Sequence, residues 1–190
     1  MTTIYFIRHA QSDTSVRDGR SRPLTEEGLL SRTLVNDYLR DKAIDVVLSS
    51  PFKRAQDTIA LFAQGAGLEI ETIEDFREQK SSSDMRRDHP DFRACLQRQW
   101  EDFTYAYSDG EPLKQVQQRN IAALNKVLND YEGKNIAIGT HGTALSTMIN
   151  YYDPTYGFSD FGQMEYKLPW AVKMVFNKLD CLQIDKIDLY

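Results

Sequence analysis

Two cysteines in 190 residues, Cys95 and Cys181, stand far apart with no Cys-x-x-Cys or Cys/His spacing, which argues against a disulfide framework and a thiolate zinc site. Their thiols are expected to be reduced and mostly buried. No apolar run approaches the length of a membrane span. Met1 leads straight into a strand pattern without a basic and apolar signal segment, so the expected location is the cytoplasm. There is no block of like charge either. The formal charge of -5 is spread along the chain, which argues against general nucleic-acid binding and against an anionic membrane surface as partner. Any anion must therefore be caught locally. No repeat, low-complexity tract or linker interrupts the chain, and its length suits one domain over residues 1–190.

What is present is a set of short apolar runs that stop abruptly at polar residues. Ile4 to Ile7 is β-branched or aromatic throughout, the pattern of a buried strand, and it ends at Arg8-His9. A polar loop with Arg17, Arg20 and Arg22 follows, and Thr25 is the expected N-cap of a helix whose apolar face carries Leu29, Leu30, Leu34, Tyr38 and Leu39. Ile44 to Leu48 is a second buried strand. Ser49-Ser50-Pro51 then predicts a serine cap and a proline at the first helical position, with Arg54 in the first turn. Leu68 to Ile73 predicts a third strand leading to Glu78 and an irregular serine-rich loop. Between Pro90 and Tyr107, Phe92, Cys95, Leu96, Trp100, Phe103 and Tyr107 recur at helical spacing, as core or as the underside of a lid.

Pro112 opens a long amphipathic helix that Gly133 ends, and Asn135 to Ile138 is a further buried strand running into Gly139-Thr140-His141-Gly142 and another helix. Ala171 to Phe176 and Cys181 to Leu189 predict an antiparallel hairpin at the sheet edge. His89 is read as a surface residue.

Three strands thus hand off at their carboxyl ends to Arg8 and His9, to Arg54, and to His141. In open α/β sheets that edge is where ligands bind. If the strands are parallel neighbours, two guanidinium forks and two imidazoles converge, a set suited to phosphate because arginine grips its oxygens bidentately and keeps its charge. Helix N-termini after Ser50 and His141 are expected to add backbone N–H donors.

The motifs that carry this pocket are Arg8-His9-Ala10-Gln11-Ser12, Pro23-Leu24-Thr25-Glu26-Glu27-Gly28, Ser49-Ser50-Pro51-x-x-Arg54-Ala55-x-x-Thr58 and Thr140-His141-Gly142. With them the chain resembles the histidine phosphatase superfamily, the phosphoglycerate-mutase-like proteins, over nearly its whole length. The resemblance implies a three-layer α/β/α fold with a mostly parallel sheet, an antiparallel C-terminal edge, and a variable helical lid at residues 79–107 that sets specificity. It also implies that His9 is the nucleophile that becomes phosphorylated, that Arg8, Arg54 and His141 complete the phosphate pocket, and that no metal or other cofactor is required. Burial beside two arginines is expected to keep His9 neutral and reactive, with a protonated His141 stabilising charge. A carboxylate after the third strand supplies the leaving-group proton in the family. Glu78 occupies that place, with Asp13 the second candidate. Ser15 stands where many relatives carry a phosphate-contacting asparagine, and Ser15 and Gly142 are assigned to substrate binding. Ala10 replaces the family's usual glycine.

The implied reaction is hydrolysis of a phosphomonoester, on a small phosphorylated substrate or a phosphoprotein. The mutase segment between the first motif and Leu-Thr is replaced by Arg17-Asp18-Gly19-Arg20-Ser21-Arg22, so a bisphosphoglycerate-dependent mutase is the second reading. A non-catalytic phospho-ligand-binding module is the third. Arg86 and Arg87, with Trp100, Phe103 or Tyr105, either meet a second group of the substrate or are a solvated pair and core aromatics.

Overall fold

The computed structural model describes residues 1–85 and 88–190, so Arg86 and Arg87 lie outside the described residues. Its strands are β1 (Thr2–Arg8), β2 (Val46–Ser49), β3 (Ile70–Thr72), β4 (Asn135–Thr140), β5 (Trp170–Asn177) and β6 (Asp180–Ile187). They form one sheet in the order β3-β2-β4-β1-β5-β6. The first four are mutually parallel and the last two join antiparallel, as the C-terminal hairpin pattern predicts. The helices are α1 (Glu26–Leu39), α2 (Lys53–Ala66), α3 (Phe92–Glu101), α4 (Leu113–Asp130), α5 (Gly142–Tyr152) and α6 (Phe158–Met164).

Alternation along the strands separates two cores. Ile4 and Phe6 of β1 join Leu48, Ile136 and Ile138 in packing against α4 and α5. Tyr5 and Ile7 point the other way, with Val47 and Ala137, against Val35 and Leu39 of α1 and Ile59 and Phe62 of α2. Helices on both faces are what a sheet with a central parallel segment requires. Among the described residues no helix is long and apolar enough to cross a membrane.

Several boundaries depart from the sequence pattern. Thr25 caps α1 as expected, its hydroxyl accepting from Gly28 N at 3.0 Å, but the helix buries Gly28, Val35 and Leu39. Leu29 and Leu30 are 42 % and 73 % exposed and are not part of the buried face. The cause is a contact from outside the helix: Gly28 sits against the backbone of Gln11, so closely that an added Cβ would collide with the Gln11 carbonyl oxygen. That contact sets which side of α1 faces inward. Helix α2 begins at Lys53, two residues later than the Ser-Pro pattern suggests, with Phe52 as its N-cap. The Ser50 hydroxyl accepts from Phe52 N (3.2 Å) and is otherwise committed to His141.

Helix α3 ends at Glu101, where Asp102 turns the chain by accepting from Thr104 N and Oγ1, so Phe103 and Tyr107 belong to the following loop. Trp100 is buried in the core, its ring 5.4 Å from that of Phe161. Helix α6 was not anticipated at all; Gly157 N donates to Asp160 Oδ2 at its start.

The Gly28 contact yields a test of how the Pro-Leu-Thr-x-x-Gly segment works. Gly28→Ala is expected to lower unfolding free energy by about 1–3 kcal/mol, the usual cost of overpacking, when followed by denaturant titration. An unchanged midpoint would show that α1 can shift away from Gln11 without penalty.

Candidate active site

The register of the central strands brings the polar handoffs together. Arg8 of β1 lies beside Thr140 of β4, and Ser49 of β2 beside Gly139. His9 N donates to Thr140 O (3.1 Å) and Ser50 N to Gly139 O (2.8 Å), extending the ladder just past the strand ends. Gly139 allows this closeness, since a Cβ there would meet Ser49 Oγ at 2.8 Å and the Ala55 carbonyl at 2.9 Å. His9, His141 and the first turn of α2 therefore share one edge of the sheet.

Both arginines are almost fully buried and each is tied down by carbonyl oxygens. Arg8 Nη1 donates to Met164 O, at the last residue of α6, and to Lys167 O at 3.0 Å. Gly142 leaves room for this guanidinium, because an added Cβ would stand 3.3 Å from Arg8 Nε. Arg54 Nη1 donates to Gly19 O (2.6 Å) in the polar loop, and its guanidinium lies 5.0 Å from the Phe52 ring centroid. Burial lowers the Arg54 pKa to about 10, with the Glu78 carboxylate opposing and Arg22 adding to the shift, so the group stays charged at neutral pH. Thr58 links the two motifs: its hydroxyl accepts from Ala10 N (2.9 Å) and donates to Arg54 O (2.7 Å).

His9 is oriented by its own backbone. Its Nδ1 lies 2.7 Å from Ala10 O, an acceptor only, so Nδ1 carries the proton and Nε2 is left with a lone pair. Burial, then Arg54 and Arg8, hold its pKa well below the usual imidazole range, with the Ala10 carbonyl opposing. The His141 ring packs edge-on at 5.4 Å and is completely buried. Its Nε2 meets Ser50 Oγ at 2.7 Å, and its Nδ1 has no hydrogen-bond partner among the described residues. Burial and then Arg54 keep its pKa well below the ordinary value. In the site as it stands, desolvation and then the neighbouring arginines disfavour a charge on His141.

The carboxylates separate clearly. Glu78 reaches the start of α5, where its Oε2 accepts from Thr143 N (3.1 Å) and its Oε1 from Ala144 N (3.0 Å) and Gln79 N (2.8 Å). These are the helix-terminal N–H groups expected to face a phosphate; the structure gives them to Glu78, beside His141. The donors at the α2 terminus are also occupied, Phe52 N by Ser50 Oγ and Lys53 N by Arg20 O. Asp13 is instead half-buried on a turn, and hydrogen bonds from the Ser15 hydroxyl and backbone hold its carboxyl below the usual range. Ser15 stands on that same turn, with N and Oγ both donating to Asp13 Oδ1. His89 is partly exposed beside α3.

Sequence reasoning missed the anchor of Arg8. The apolar residues Phe158, Phe161 and Met164 at helical spacing were a signal for α6, but nothing local tied that segment to Arg8. Phe52 was also passed over, although its ring lies 5.1 Å from that of His141.

The family model for the histidine phosphatase superfamily (branch 1) matches residues 4–173. Among curated proteins, the uncharacterized phosphatase PhoE of Bacillus subtilis (strain 168) is 27% identical over 158 residues, covering 78% of this chain and 76% of that one. A probable phosphoglycerate mutase, GpmB of Yersinia pestis (strain Pestoides F), is 25% identical over 161 residues, covering 79% and 74%. Among solved structures, Bacillus stearothermophilus YhfR superposes with a TM-score of 0.77 at 23% identity, covering 96% of this chain and 95% of that one. A phosphoserine phosphatase from Entamoeba histolytica, solved with phosphoserine, gives 0.79 at 18% identity, covering 100% and 98%.

The buried, neutral His141 has a consequence for stability. Below about pH 6.5 the unfolded chain takes up a proton at this imidazole that the folded chain does not, so stability falls as pH falls. The slope from this residue approaches about 1.4 kcal/mol per pH unit. Urea unfolding of the protein and of His141→Gln between about pH 7.5 and 5.5 is expected to show the variant losing less stability on acidification. Parallel profiles would mean that His141 takes up its proton equally in the folded and unfolded chains, contrary to its burial as a neutral group.

Proposed function

The chain belongs to the histidine phosphatase superfamily, and from that premise we propose that it is a metal-independent phosphomonoester hydrolase acting through a phosphohistidine on His9. The observation that carries this reading is the Nδ1–Ala10 O hydrogen bond, which leaves a neutral imidazole with its Nε2 lone pair beside two buried guanidinium groups. Binding alone would need the arginines. It would not need a nucleophile fixed in one tautomer, nor a carboxylate held at the start of α5.

Arg8 and Arg54 take the non-bridging oxygens of the phosphoryl group and hold phosphorus in line with Nε2. An anion placed there reverses the local field at His141, which can then donate a hydrogen bond to it. As the Nε2–P bond forms, the bond to the leaving oxygen breaks and Glu78, having taken the proton that a phosphomonoester monoanion brings into the site, gives it to that oxygen. Water then attacks the phosphohistidine, Glu78 takes a proton from it, and phosphate and neutral His9 are regenerated. The main protein contribution is charge stabilisation and positioning, as phosphoryl transfer requires. Glu78 is preferred to Asp13 as the acid because it is held beside His141, while Asp13 is engaged with Ser15 on a turn. Ser15 and Gly142 complete the substrate-binding set, Ser15 from the loop and Gly142 by leaving space for Arg8.

The substrate is a small phosphorylated molecule, or a phosphoprotein side chain, with residues 79–107 acting as the lid that selects it in the cytoplasm. The likeness to GpmB supports the mutase as second reading, in which the phosphoryl group returns to a sugar-acid hydroxyl rather than to water.

Phosphate release from a panel of sugar phosphates, nucleotides, phosphoglycerates and an aryl phosphate, with chelator present, distinguishes these. Turnover is expected to survive chelator and to fall by at least about 1,000-fold in His9→Ala, the loss expected when a nucleophile is removed. Activity sensitive to chelator, or retained by His9→Ala, would overturn the reading. Isomerisation of a phosphoglycerate without phosphate release would favour the mutase.

A further inference from the structure

The segment that carries Glu78 is irregular: after the 3₁₀ turn Glu74–Phe76 there is, among the described residues, no helix or strand until α3. Irregular backbone leaves carbonyl oxygens that need donors. Three of them converge on one side chain. Arg119, on α4, donates from Nη1 to Asp75 O (2.8 Å) and Arg77 O (2.7 Å) and from Nη2 to Glu78 O (3.2 Å). Its remaining donors grip the Glu111 carboxylate bidentately, Nε to Oε1 at 2.8 Å and Nη2 to Oε2 at 2.9 Å. Both side chains are nearly buried, at 10% and 11% exposure. Glu111 is itself fastened to the other end of the same segment. Its Oε2 accepts from Lys80 N (3.1 Å), and its carbonyl accepts from Gln79 Nε2 (2.7 Å).

We propose that Arg119, locked by Glu111, is a positioning residue that fixes the backbone at Glu78 so that its carboxyl can deliver the leaving-group proton. This rests on the phosphatase reading. The chemistry requires a guanidinium: only its planar fork spans three carbonyls and a carboxylate at once, and lysine offers a single point of donation. The result is that Glu78 is held from two sides, its backbone by α4 through Arg119 and its carboxylate by the N–H groups of α5. Arg119 touches none of the reacting atoms. Its effect must therefore appear in the one step that uses Glu78 to protonate a leaving group.

That step is separable by leaving group. An aryl phosphate such as 4-nitrophenyl phosphate expels a stabilised phenolate without an acid, whereas a simple alkyl phosphate must have its alkoxide protonated. kcat/KM reports the sequence through leaving-group expulsion, so both esters are measured for the wild type, Arg119→Gln, Glu111→Gln and Glu78→Gln. Arg119→Gln is expected to lose about 100-fold on the alkyl ester, the scale of a misplaced catalytic group, and little on the aryl ester. Glu78→Gln is expected to show the same pattern, and the double variant no further loss on the alkyl ester. Should Arg119→Gln not fold, Glu111→Gln retains the carbonyl bonds of Arg119 while weakening its lock, and a loss of about tenfold confined to the alkyl ester is expected.

Equal losses on both esters would overturn the proposal, since general loosening, or loss of the Arg119 charge acting on His141, affects both substrates alike. A wild type that hydrolyses neither ester, with His9 never phosphorylated, would overturn the phosphatase reading itself.

Discussion

Two buried guanidinium groups at one edge of the sheet are the constraint on which the rest of the site depends. Taking Arg8 and Arg54 out of water is costly unless their donors are satisfied and their charges answered. The carbonyls of Met164, Lys167 and Gly19, the Phe52 ring and the Glu78 carboxylate supply part of that compensation. A phosphate dianion supplies the rest in the proposed reaction. Burial first, and then the positive field of Arg54 and Arg8, keep both imidazoles neutral, so a pocket suited to an anion also leaves a lone pair on His9.

The sheet places these groups with little freedom. Parallel pairing of β1 with β4 and of β4 with β2 aligns three strand ends, and the closeness of α2 to β4 at Gly139 brings Arg54 to the same level. Beyond that edge Thr58 joins Ala10 to Arg54, and Thr25 and Gly28 hold Gln11, two residues after His9. The motif residues that carry no chemistry are thus the ones that fix the chain around His9.

What was legible in the sequence was local. The apolar run of β1 ending at Arg8-His9, the Thr25 cap and the strand leading to His141 each depend on neighbours along the chain, and each stands where the pattern places it. What was not legible depends on distant partners. Arg8 is anchored 156 residues away at the end of α6, and Glu78 finds its helix-terminal donors 65 and 66 residues on. The inward face of α1 was misread because leucine spacing alone cannot register that Gly28 must meet Gln11. The resemblance names His141, but the burial and the field of Arg54 that lower its pKa come from distant partners.

The central claim is that His9 Nε2 forms a bond to phosphorus, and the measurement that tests it most directly is trapping of that bond. The protein mixed with its best phosphomonoester and quenched rapidly in alkali is expected to carry an acid-labile, alkali-stable phosphoryl group on the peptide containing His9. A phosphoryl group found on another residue, or phosphate release at full rate with no phosphoenzyme formed during turnover, would contradict the account.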